Sequence, residues 1–118
     1  MDKDIIKNKS FDFAVRIVNL CEHAKENKIA FVLVDQLLKS GTSIGANVRE
    51  ARNAASRKDF VNKLNVALKE ADETEYWLEL FFRTNKINEA EYESIINDCR
   101  ELIYILTAIV KNTKNIEN

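Results

Sequence analysis

The sequence predicts an all-α protein folded as an antiparallel up-down-up-down four-helix bundle, and three observations carry that prediction. The 118 residues contain no proline and two glycines, too few turn formers for the many bends of a sheet or a loop-rich fold. Four segments repeat apolar residues at helical spacing. The breaks between them are short, which favours antiparallel neighbours. At this length the chain forms one domain, residues 1–118, with fraying expected over about 1–8 and 113–118.

The first helix runs from Ser10, with Phe11, Ala14, Val15, Val18 and Cys21 on one stripe, to the polar "KENK" near Asn27. The second carries Leu33, Leu37, Ile44, Val48, Ala51 and Ala55 on one face. Ser56 then reads as the N-cap of a third helix, with Asp59 at its third position in the manner of a capping box. Phe60, Leu64, Ala67, Ala71, Leu78 and Phe81 form its stripe. After "TNKIN", Asn88 and Glu91 repeat the capping arrangement. The fourth helix shows Ile95, Cys99, Leu102, Leu106, Ile109 and Val110 on one side, and the polar tail "KNTKNIEN" follows.

Two of these helices carry more apolar surface than a monomeric bundle requires. Beside the first stripe of helix one, Phe13, Ile17, Leu20 and Ala24 form a second. At about 100° per residue the two together cover more than half of the circumference. Helix three adds Tyr76, Trp77, Leu80 and Phe82. One bundle core does not bury all of these, so self-association is expected, with Phe13, Ile17, Leu20 and Trp77 as contact candidates. The alternative is scattered exposed apolar residues, which are common.

Both glycines fall in the second helix, within "LLKSGTSIGANVREA". A glycine inside a helix costs roughly 0.5–1 kcal/mol relative to alanine. Four residues apart, Gly41 and Gly45 share a face and remove bulk from adjacent turns, so another helix can approach closely. Gln36, Ser40, Ser43, Asn47 and Glu50 run along the opposite edge, making Ser43 and Asn47 candidates for a separate hydrogen-bonding strip. A second possibility ends the helix at Ser40–Gly41 and starts another, capped by Thr42 or Ser43. The apolar period stays in phase across the glycines, which favours one continuous helix.

Eighteen Lys and Arg face nineteen Asp and Glu, without the basic excess of a dedicated nucleic-acid-binding domain. Cations do cluster locally. Arg49, Arg52, Arg57 and Lys58, with Lys63 a turn later, surround the predicted turn between helices two and three. They are candidates for phosphate contact, against the alternatives of charge pairing between subunits or plain solubility. His23 is the one histidine, and the residue three before it is Leu20, so no di-iron or zinc set is expected. "GTSIG" lacks both the strand and the Lys-Ser/Thr ending of a phosphate loop. The run Glu70, Asp72, Glu73, Glu75 and Glu79 reads as a solvated or salt-bridged face, and no enzyme, metal or cofactor is expected. Cys21 and Cys99 read as reduced thiols on helix faces. With no membrane-length apolar run and no leader, a cytoplasmic protein is expected.

"SGTSIGANVREA", followed by "DFVNKLNVALKEADETEYWLEL" from Asp59 to Leu80, resembles the bacterial four-helix-bundle family of the 23S rRNA intervening-sequence proteins. The similarity spans nearly the whole chain. It implies a left-handed up-down-up-down bundle and a ring-like homopentamer. The family takes its name from open reading frames within segments inserted in 23S rRNA genes, which implies an RNA or RNA-associated partner besides self. Some relatives resemble the accessory proteins of diversity-generating retroelements, which are basic and bind nucleic acid with a reverse transcriptase. The slight acidic excess here departs from that pattern.

Overall fold

Helices α1 (Lys3–Glu26), α2 (Phe31–Arg52), α3 (Arg57–Arg83) and α4 (Glu89–Glu117) account for nearly all of the computed structural model, which describes residues 3–117 and the side chains of 5–114. No strand occurs among the described residues. Helix α1 begins well ahead of Ser10 because the apolar period already includes Ile6, which is buried. The helical backbone runs from Lys3 and as far as Glu117, into the stretches 1–8 and 113–118 at either end. Met1, Asp2 and Asn118 lie outside the described residues. Ala55, expected on the face of α2, sits exposed in the loop after its end at Arg52. The helix runs unbroken through both glycines, neither of which has a positive φ.

Local chemistry sets the boundaries. Ser56 has an extended backbone (φ −148°, ψ 165°), and its Oγ accepts a hydrogen bond from the Asp59 N–H at 3.0 Å. Asn88 Oδ1 accepts from the Glu91 N–H at 2.8 Å, so both predicted caps form. Helix α2 starts at Ala30, which has no side chain able to cap it. With both glycines spent inside α2, non-glycine residues take the left-handed positions that end α1 and α3. Lys28 has φ 60° and Asn85 φ 61°. At the first, the Ile29 N–H reaches Ala24 O and the Lys28 N–H reaches Lys25 O, both at 3.1 Å. Lys86 to Phe81 and Asn85 to Phe82 repeat the pattern at 2.8 and 3.0 Å. These are Schellman ends, which satisfy carbonyls that the helix leaves unpaired.

The helices pack in chain order, α2 against α1 and α3, and α3 against α4, while α1 meets α4 more sparingly. A 27-residue helix is about 40 Å long, which accounts for most of the 49 Å long axis; the other extents are 22 and 19 Å. Ile17, Leu37, Ile44, Leu64, Leu78, Phe81, Ile95, Leu102 and Leu106 fill the centre. Each such side chain contributes roughly 1.5–3 kcal/mol by leaving water. A hydroxyl pair crosses this core: the buried hydroxyls of Ser40 on α2 and Thr74 on α3 lie 3.0 Å apart. The carbonyls of Leu37 (3.3 Å) and Glu70 (2.7 Å) complete their hydrogen bonding. Along the α1–α4 seam ion pairs flank the buried Phe13 and Leu102. Lys9 meets Glu101 at 3.0 Å, and Arg16 reaches Asp98 at 2.8 Å, Ser94 at 2.9 Å and Glu91 at 3.8 Å.

Candidate interaction surface

The glycines fix how α1 lies on α2. A Cβ at Gly41 would stand 2.8 Å from both Cγ1 and Cγ2 of Ile17, and one at Gly45 would stand 3.2 Å from the carbonyl oxygen of Ser10. At Gly41 only the missing side chain permits the approach, and at Gly45 its absence spares a tight contact. The contact turns Ser10, Ile17 and Cys21 toward α2, with the Cys21 thiol donating to Val34 O at 3.7 Å.

That rotation corrects the expected roles of the two stripes on α1. Phe13, Ile17 and Leu20, expected as the surplus contact stripe, are 3%, 0% and 7% exposed and belong to the bundle core. Phe11, Val15 and Val18, expected inside, are 55%, 48% and 38% exposed. The surplus apolar surface is real, but it lies one stripe over.

Beside it, α1 and α2 enclose an open groove of about 440 Å³ lined by Lys7, Phe11, Ala14, Thr42, Gly45, Ala46, Arg49 and Glu50. Its walls are mainly apolar because α2 presents small residues there and α1 presents Phe11. The Arg49 guanidinium lies 5.9 Å from the centre of the Phe11 ring, a cation–π arrangement that keeps a positive charge at the groove edge. Glu50 is turned toward Lys63 of α3 at 3.8 Å.

The predicted basic turn forms as a cluster at one end of the bundle. Arg49 and Arg52 occupy the last turn of α2, Arg57 and Lys58 the first turn of α3, and all are exposed around the loop 53–56. In the expected strip, Ser43 Oγ donates to Lys39 O at 2.6 Å and Asn47 Nδ2 donates to Ser43 O at 2.8 Å, both within α2. Ser40 makes the cross-helix link. Trp77 is half-buried, its indole Nε1 buried without a hydrogen-bond partner, and its ring meets Tyr76 edge-on at 4.9 Å and 77°. Phe82 stacks on Tyr92 of α4 at 4.3 Å.

The chemistry-bearing side chains are dispersed. Glu75 accepts from Arg100 Nε at 2.7 Å, and partial burial with the neighbouring Glu73 charge raises the Glu70 carboxyl above its ordinary value. His23 is exposed and 3.2 Å from the Asn27 amide. Among the described residues no three His, Cys, Asp or Glu side chains are grouped to hold a metal ion. No described helix is long and apolar enough to cross a membrane. Sequence reasoning also passed over several exposed apolar residues, including Ile5, Phe31, Val32 and Tyr104.

Comparison with known proteins gives two findings. The profile of the family described as 23S rRNA-intervening sequence protein matches residues 2–108. A crystal structure of a protein with unknown function from the S23 ribosomal protein family of Bacteroides thetaiotaomicron is similar at 56% identity. The similarity covers 94% of this chain and 99% of that one, with a TM-score of 0.91. No curated protein matches.

Proposed function

This chain belongs to the 23S rRNA-intervening sequence protein family, and from that premise we propose a non-enzymatic, homo-oligomeric bundle that acts by interaction, in association with RNA or ribosomal components. We read the bundle as left-handed and up-down-up-down. Ser10 against Gly45 and Ile17 against Gly41, then Glu50–Lys63 and Ser40–Thr74, support neighbours that run in opposite directions. Family resemblance supports a ring of five copies.

The observation that carries the reading is the exposed strip Phe11, Val15 and Val18 beside an apolar groove. Contiguous apolar surface of this kind marks an interaction face. The family description refers to 23S rRNA and the similar crystal structure to a ribosomal protein family, which supports the RNA or ribosomal setting. Sedimentation equilibrium at micromolar concentration is expected to return a multiple of the chain mass. A single-chain mass throughout would overturn the self-association.

A second reading rests on the exposed cluster Arg49, Arg52, Arg57 and Lys58: direct binding of nucleic acid through phosphates. A short labelled RNA is expected to bind at low salt with an affinity that falls as salt rises, the slope growing by about 0.7–0.9 per phosphate contacted. Arg57→Glu with Lys58→Glu, which leaves the α1–α2 groove untouched, should abolish that binding. Absence of binding by the native chain at low salt removes this reading and leaves the first standing.

A further inference from the structure

We propose that the groove between α1 and α2 receives the Tyr76 ridge of α3 from a second copy of this chain. The inference rests on the self-association reading and specifies which faces meet. Phe11, Ala14, Thr42 and Ala46 make the groove apolar, and Lys7 and Arg49 place positive charge at its edge. Glu50 is engaged with Lys63. A matching surface must present an apolar projection between carboxylates.

Two exposed tyrosines stand on the outer ridges of this fold. Tyr104 on α4 has Arg100 and Glu101 one turn before it and Thr107 and Ala108 one turn after, so its neighbours at those spacings carry no net charge to set against Lys7 and Arg49. Tyr76 on α3 has Asp72 and Glu73 before it and Glu79 after it, at the three- and four-residue spacings that share its face. Its ring is 57% exposed as a residue and braced edge-on by Trp77. A braced aromatic loses little freedom on docking, and flanking carboxylates facing cations steer the encounter and fix its register. Because two different faces meet, the contact is heterologous: each copy offers one ridge and one groove, and the arrangement repeats until its rotation closes.

Disulfide trapping tests the pairing, since Cys21 and Cys99 are both buried. Under mild oxidation, an Ala46→Cys chain mixed with a Tyr76→Cys chain should form the mixed disulfide, and neither variant alone should cross-link. Glu73→Lys with Glu79→Lys should raise the concentration of half-assembly by about tenfold or more, with helicity unchanged by circular dichroism, and adding Arg49→Glu should restore assembly. If the native chain assembles while Ala46→Cys links to itself, the groove pairs with its own copy and the proposal falls. It falls equally if the native chain assembles, no mixed disulfide appears and the charge reversals leave assembly unchanged. A monomeric native chain overturns the self-association reading along with it.

Discussion

Gly41→Ala is expected to destabilise the protein by about 1–2 kcal/mol, even though alanine is the better helix former by up to about 1 kcal/mol. The new methyl would sit 2.8 Å from two carbons of Ile17. Ile17 is fully buried, and its branched side chain has essentially one good rotamer in a helix, so it cannot turn aside. The two helices must separate, loosening the row of contacts from Ser10 to Cys21. Gly45→Ala is milder, because its methyl would meet the Ser10 carbonyl at 3.2 Å and a shift of a few tenths of an ångström relieves it. Gly41→Leu should prevent native packing altogether. A double-mutant cycle isolates the cause. In an Ile17→Ala background the two 2.8 Å contacts are gone and the 3.2 Å contact with the remaining Cβ stays, so Gly41→Ala should cost much less than in the native chain. The coupling energy should then be about 1–3 kcal/mol. Additive losses in thermal or urea unfolding would show that the close approach is not what the glycine provides.

The second large effect concerns the thiols. Burial pushes the Cys99 thiol up to about 12, with the nearby charges of Glu75 and Asp72 adding to the shift, and pushes Cys21 up to about 11 against a lowering by Lys25. Only the thiolate reacts. Buried and with its thiol held well above the ordinary value, Cys99 should react with a disulfide reagent at pH 8 at least about tenfold more slowly than in the urea-unfolded chain. The same shift gives stability a sign. The folded state holds these protons to higher pH than the unfolded state does. Their stabilising contribution is therefore full below pH 9 and lost as pH rises through about 11 for Cys21 and about 12 for Cys99. Cys99→Ala should flatten that alkaline limb. Rapid labelling of the native chain at pH 8 would contradict both expectations.

Where the sequence was legible, one element carried the information by itself. Ser56 and Asn88 announce their helices because a cap is a local bargain between a side chain and an N–H three residues on. The glycine pair was legible too, since its cost demands close packing and its spacing defines a face. Helix α1 was misread because two adjacent stripes are both apolar, and periodicity ranks neither. What chooses between them is the partner: a face of glycines accepts Ile17 and Ser10 at close range, and Phe11 falls at its edge, where it lines the groove beside Gly45. Starting the pattern at Ile6 would have exposed the answer. Ile6, Ser10, Phe13, Ile17 and Ala24 then form an unbroken buried line. The bonds of Ser43 and Asn47 within α2 were not legible, because a hydroxyl or amide can bond its own helix as readily as a neighbour. The groove needed two helices placed together, and no single segment encodes it.

The charged closure between α1 and α4 has a consequence for how the molecule comes together and apart. Each of the other junctions joins helices separated by a loop of four or five residues, so each can zip as a local hairpin with little chain entropy lost. Helices α1 and α4 are the pair most distant in sequence and the most sparingly packed, and the ion pairs along their seam are worth about 0–1 kcal/mol each. Their junction is expected to close last in folding and to open first in the native state, with amide exchange of α1 and α4 faster at their facing sides than at the other junctions. The bundle is a run of three successive hairpins with a charged latch between its first and last helices, and rising salt is expected to loosen that latch before it touches the apolar centre.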